Sequence, residues 1–141
     1  MPRKRFQNEV SQDFIDCTWG RGYLTGFDLF RDFYVVEGRV RGLDRIEVRY
    51  YDDPARIEPI AFPEASYEAS LGDNPEWAMD KLRVSYESMV SPASTYDYHV
   101  SERRLELLKT QVIPSGYDAS LYETARLEIT ARDGTAIPVS V

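Results

Sequence analysis

Residues Tyr34-Val-Val-Glu-Gly-Arg-Val-Arg-Gly-Leu-Asp-Arg-Ile-Glu-Val-Arg-Tyr-Tyr51 decide the fold class of this chain. Tyr34, Val36, Gly38 and Val40 alternate with Val35, Glu37 and Arg39. After a short break at Arg41-Gly42-Leu43-Asp44, Ile46, Val48 and Tyr50 alternate with Glu47, Arg49 and Tyr51. A period of two sends successive side chains to opposite faces of a pleated strand, and two such runs joined by a Gly-containing break predict an antiparallel hairpin. Asp52-Asp53-Pro54 ends the pattern, because Pro has no N–H to give a ladder.

Working outward, Ile57 to Phe62 and Tyr67 to Leu71 read as two further short strands separated by Pro63-Glu64-Ala65-Ser66. Four antiparallel strands in about forty residues is the size of one β-propeller blade. Gly72-Asp73-Asn74-Pro75 closes that unit, and Pro75 to Lys81 reads as a single helical turn. A second unit starts at Leu82, with Leu82, Val84 and Tyr86 on one face, and continues through 94–100 and 104–110. Pro114-Ser115-Gly116-Tyr117-Asp118 reads as a loop. Residues 122–132 and 135–141 form a last hairpin around Asp133-Gly134, a dipeptide suited to positive φ. In it Leu127, Ile129 and Ala131 face the row Ile137, Val139 and Val141. No long amphipathic helix is legible, so the expected fold is all-β, with short antiparallel strands forming about two blades. The division is 1–24 irregular, 25–74 one blade, 75–121 a second, and 122–141 an exit hairpin.

Composition narrows the function classes. The 141 residues are one domain's worth of material, 43% hydrophobic and 29% charged, and ten Tyr and six Phe favour strands. The net charge of −7 argues against a nucleic-acid surface, which needs clustered positive charge. Arg3-Lys4-Arg5 is the one basic cluster and reads as a solvated arm. Cys17 stands alone beside Asp16, so no intrachain disulfide forms and the neighbouring carboxylate disfavours a thiolate. No apolar run approaches the roughly twenty residues of a membrane span and no signal peptide is visible, which sets a cytoplasmic expectation with no membrane partner.

Catalytic chemistry is hard to place on these residues. Acyl transfer needs a nucleophile, a base beside it and oxyanion donors. No Gly-x-Ser-x-Gly elbow exists, and the one imidazole, His99, precedes Ser115, Ser120 and Ser140 in the chain and lies in a strand next to Asp97. One His and one Cys cannot furnish a zinc site. Asp52, Asp53, Glu64, Glu68, Asp73 and Glu76 cluster around turns without EF-hand spacing, where turn chemistry alone favours Asp, Asn and Pro. Trp77, Tyr86, Tyr96 and Tyr98 read as cross-strand pairs before they read as a ligand face. The expectation is no catalytic, cofactor-binding or metal-binding residue, and no cofactor.

Three stretches carry a resemblance when taken in order: 82–98 (Leu-Arg-Val-Ser-Tyr-Glu-Ser-Met-Val-Ser-Pro-Ala-Ser-Thr-Tyr-Asp-Tyr), Leu107-Leu-Lys109, and 127–141 (Leu-Glu-Ile-Thr-Ala-Arg-Asp-Gly-Thr-Ala-Ile-Pro-Val-Ser-Val). Gly26-Phe-Asp-Leu-Phe-Arg-Asp-Phe33 adds to them. The order resembles the end of the N-terminal β-propeller in the prolyl oligopeptidase family of serine peptidases, in its oligopeptidase B-like branch. The resemblance covers about 25–141 and leaves out the first twenty-four residues, where Phe14-Ile-Asp-Cys-Thr-Trp-Gly-Arg-Gly22 shows no alternation.

The resemblance implies that 122–141 lead into an α/β-hydrolase domain that carries the triad and lies beyond Val141, absent from this chain. It also implies that the intact propeller gates the access of short peptides to that domain, with 123–141 in contact with it. The expected function is therefore a non-catalytic propeller fragment whose partner is the hydrolase domain. The alternatives are a stand-alone β-rich interaction module, self-associating through open strand edges, and a truncated gene product without selected function.

Overall fold

The computed structural model describes residues 22–141. Its strands are β1 (Gly22–Leu29), β2 (Phe33–Val40), β3 (Leu43–Tyr50), β4 (Ile57–Pro59), β5 (Glu68–Leu71), β6 (Lys81–Glu87), β7 (Ser94–His99), β8 (Arg104–Thr110), β9 (Arg126–Thr130) and β10 (Ala136–Ser140). They form two four-stranded sheets, β1-β2-β3-β4 and β5-β6-β7-β8, each an antiparallel meander, and the two-stranded hairpin β9-β10. A 3-10 turn over Ala119–Leu121 is the sole helical element among the described residues. The all-β architecture follows the alternation read from residues 34–51.

The hairpin at Arg41-Gly42 has both central residues at positive φ, 52° and 78°, with Val40 facing Leu43 across the ladder. That is the geometry a two-residue turn needs to match strand twist. The β9–β10 turn carries Gly134 at φ 86°, and Asp133 Oδ1 accepts from the Thr135 N–H at 3.0 Å, as expected of Asp-Gly. The register brings Ile129 opposite Ile137 and Leu127 opposite Val139.

The two sheets pack face to face. Phe30, Phe33, Val35, Ile46, Val48 and Ile60 from the first unit meet Leu82, Val84, Tyr98 and Val100 from the second in one buried cluster. Each such aliphatic or aromatic side chain contributes about 1.5–3 kcal/mol by leaving water. On β6 the alternation is complete: Leu82, Val84 and Tyr86 are buried while Lys81, Arg83, Ser85 and Glu87 are exposed. The outer face of the second sheet is accordingly polar, with Arg83 paired to Asp97 at 2.6 Å.

Four local expectations are corrected. Tyr67–Leu71 does not complete the first sheet: β5 pairs with β6, with Ala69 beside Tyr86 and Leu71 beside Val84. The physical reason is edge length, since β4 offers three residues ending in Pro59 whereas β6 offers seven and an apolar face for Ala69 and Leu71. The strand expected over 57–62 is accordingly short. No helical turn forms at 75–81, because Asn74 ties the chain to β6. Its side chain accepts from the Arg83 N–H at 2.7 Å and donates to the carbonyls of Gly72 and Arg83 at 2.9 and 3.1 Å. Finally, β1 begins at Gly22, inside the segment read as irregular, paired to Val40. The rest of that segment, with Cys17 and the basic cluster, lies outside the described residues.

Candidate functional site

Connections converge where the exit hairpin leaves. Arg41 of the β2–β3 turn pairs with Glu128 of β9, and Arg126 donates to the Arg41 carbonyl. Ser91 of the β6–β7 loop donates to Glu64 of the crossover between the sheets. The Tyr117 hydroxyl donates to the Val90 carbonyl at 2.5 Å, and the Gln111 N–H to the Ala93 carbonyl at 2.8 Å. Residues far apart in sequence thus meet at one end of the sheets.

A groove of about 500 Å³ opens there between the hairpin and the first sheet. Leu43, Pro59, Ile60, Leu127 and Pro138 supply apolar wall, and Arg45, Tyr67 and Arg126 supply polar groups. Burial and the Asp44 charge push the Tyr67 phenol up, while the guanidiniums of Arg45 and Arg126 pull it down. Both guanidiniums therefore lie within electrostatic reach of the Tyr67 phenol.

Beside the groove, Phe62, Tyr67, Tyr86 and Tyr96 form an aromatic cluster. Phe62 stacks on Tyr86 at a centroid distance of 5.3 Å, and Tyr96 meets Tyr86 edge-on at 5.8 Å. Tyr86 is buried, and burial followed by the Glu64 charge drives its phenol well above the usual tyrosine range. On the far side of the core, burial and a 2.8 Å hydrogen bond to Glu58 push the Tyr50 phenol to about 12. Burial acts to raise the Glu58 carboxyl itself, but hydrogen bonds from Tyr50 and Arg56 and the charges of Arg56 and Arg103 outweigh it, leaving the group below its ordinary value.

The residues weighed for catalysis are dispersed. His99 Nε2 lies 2.7 Å from Glu106 Oε2 on the outer face of the second sheet. Ser120 donates to Asp118 at 2.6 Å, Ser140 sits opposite Arg126 in the exit hairpin, and Ser115 occupies a turn. None of these hydroxyls meets His99 among the described residues. The acidic residues serve turns and neighbours: Asp53 accepts from the Ala55 N–H at 3.2 Å, and no group of three metal-ligating side chains gathers among the described residues. Trp77 is exposed, whereas Tyr86 and Tyr98 belong to the core, so the four aromatics do not share a face. Sequence reasoning did not single out the groove residues Arg45, Tyr67 and Arg126. They come from three separate segments without a motif, and no local signal joins them.

Comparison with known proteins places this architecture. The family model of the prolyl oligopeptidase N-terminal β-propeller domain matches residues 2–111. A dipeptidyl aminopeptidase BI from Pseudoxanthomonas mexicana is 40% identical over 120 residues, which are 84% of this chain and 16% of that protein. The chain thus spans about a sixth of the curated relative it matches. Among solved structures, oligopeptidase B from Trypanosoma brucei, in a closed form with covalently bound antipain, superposes with a TM-score of 0.74 at 25% identity, over 86% of this chain and 18% of that one. Oligopeptidase B from Leishmania major shares the fold with a TM-score of 0.70 at 23% identity, over 84% and 18%. The family match begins at residue 2, which overturns the expectation that the first twenty-four residues fall outside the resemblance. By this match the chain belongs to the prolyl oligopeptidase family, in its N-terminal β-propeller domain.

Proposed function

We propose that this chain is a non-catalytic portion of a peptidase propeller and acts by gating the access of short peptides to an α/β-hydrolase domain. The observation that carries the reading is the pair of four-stranded meanders followed by a hairpin with an exposed apolar row. Leu127, Ile129, Ile137 and Val141 are each about half exposed, at 48, 50, 45 and 52%. A row of that kind fits burial against a further domain. The hydrolase domain is the proposed occupant, and the relatives named above are peptidases several times longer than this chain. The proposed setting is the cytoplasm; no helix among the described residues is long and apolar enough to cross a membrane.

Gating is a positional role: a propeller over a catalytic centre excludes folded chains and admits short ones. The chain alone should therefore not hydrolyse peptide amides or esters with basic side chains. Mixed with a separately produced hydrolase domain of a relative, it should lower cleavage of long substrates relative to short ones. Turnover by the purified chain, or a hydrolase domain whose size selectivity is unchanged by it, would refute the proposal.

The same apolar row supports a second reading, a stand-alone β-rich interaction module. Sedimentation and thermal melting of the chain distinguish the two, because a monodisperse monomer that melts cooperatively favours the module over a portion of a larger domain.

A further inference from the structure

We propose that the groove between the exit hairpin and the first sheet binds the C-terminal carboxylate of a short peptide, with Arg126 as the principal anchor and Arg45 and Tyr67 beside it. Most charges at the groove already have partners. Asp44 has both oxygens engaged, Oδ1 by Arg39 at 2.8 Å and Oδ2 by the Ala69 N–H at 3.1 Å. Glu128 is held by Arg41. Arg45 is oriented by its Nε on Glu47 at 2.6 Å, and its terminal amino groups carry no hydrogen bond among the described residues.

Arg126 differs from all of these. It spends one amino group on the Arg41 carbonyl, and no carboxylate of the described residues pairs with it. The Tyr67 hydroxyl likewise has no partner among the described residues. Among the described residues the groove therefore offers a guanidinium fork without a counter-ion, a second fork whose terminal amino groups make no hydrogen bond, and a phenol O–H, all above an apolar wall. Guanidinium forks match a carboxylate bidentately, and about 300–1,000 Å³ is the size of small-ligand sites. The groove's roughly 500 Å³ accommodates the last residue or two of a peptide, with apolar side chains against Leu43, Pro59 and Pro138. That a peptide bears the carboxylate rests on the peptidase reading above; the carboxylate chemistry rests on the groove alone.

The test is a titration of the full chain with N-acetyl-Leu-Leu and with its C-terminal amide, followed by amide resonances in two-dimensional NMR. The acid should shift Leu43, Arg45, Tyr67, Arg126 and Leu127, and the amide should bind about tenfold more weakly or less. Arg126→Gln should weaken the acid about tenfold and Tyr67→Phe about threefold, while Arg83→Gln, on the outer face of the second sheet, should leave it unchanged. If Arg126→Gln loosens the hairpin, seen as collapse of the β9–β10 resonances, Tyr67→Phe and the acid-against-amide comparison still decide. Equal binding of acid and amide, or shifts that avoid the groove, overturns the proposal. An N-acetylglutamate diamide that binds as well as the peptide acid replaces a terminal carboxylate by a side-chain one and overturns it too. The titration needs no hydrolase domain, so it and the gating experiment fail separately.

Discussion

Glu37 on β2 accepts, through Oε1, a 2.7 Å hydrogen bond from the backbone N–H of Leu71 on β5. A carboxylate of the first sheet thus serves the open edge of the second. Asp44 does the same for the Ala69 N–H at 3.1 Å. An uncovered strand edge invites pairing with another chain, and two carboxylates aimed at alternate N–H groups occupy that edge.

This stitching has an electrostatic cost. Burial raises the Glu37 carboxyl, the Leu71 N–H opposes that, and the charges of Asp28 and Asp44 add to it, for a net upward shift. A carboxyl whose folded value lies above its unfolded one binds more protons when folded, so its contribution to stability is present at low pH and is lost as pH rises through the folded value. Glu37→Gln, which keeps an oxygen for Leu71, should match or exceed the wild type in urea midpoint at neutral pH, and the gap should close on acidification. Glu37→Ala, which leaves the N–H without its partner, should cost about 1–3 kcal/mol. A Gln variant less stable than wild type at neutral pH would count against the assignment.

Glu58 gives the opposite sign. Its folded value is depressed, so its contribution is present above the unfolded value and fades as pH falls through the folded one. Glu58→Gln weakens charge-assisted bonds to Tyr50, Arg56 and Arg103 and should cost about 2 kcal/mol at neutral pH, with the difference shrinking in acid. Urea titrations of both proteins across the acid range read this directly. In an alkaline ultraviolet titration Tyr50 should ionise near 12, and Tyr50→Phe should lower the amplitude of the late phase by one phenol, leaving the part that belongs to Tyr86.

Leu82 is fully buried at the contact between the sheets. Leu82→Ala removes atoms from a packed interface and should cost about 2–5 kcal/mol in thermal or urea unfolding. Ser85, on the polar face of the same strand, should tolerate Ala within about 0.5 kcal/mol.

Arg41 and Gly134 make a matched pair of turn tests. Arg41 holds φ 52°, a left-handed conformation that costs a residue with a Cβ, so Arg41→Gly relieves backbone strain but gives up the pair with Glu128. The two effects should nearly cancel, leaving the melting temperature close to wild type. Gly134 holds φ 86° with open space where a Cβ would stand, so Gly134→Ala should cost about 1 kcal/mol from conformation alone.

Much of this protein was set locally. The alternation of 34–51 and 82–86, the Pro and Gly breaks and the Asp133-Gly134 turn each act within a few residues, so strand positions and the all-β class were legible from the sequence. The ordered motifs from Gly26 to Val141 were enough to indicate the family. Which sheet owns Glu68–Leu71 was not local, because a short strand with two apolar residues fits either edge until β4 proves too short to pair with it. The carboxylates of Glu37 and Asp44 looked like ordinary polar positions of a hairpin; only the approach of β5 gave them backbone N–H groups to accept from. Arg45, Tyr67 and Arg126 lie on three segments that carry no shared pattern. Their meeting depends on how the exit hairpin seats on the Arg41-Gly42 turn, and a long-range contact of that kind exists only once the sheets have packed.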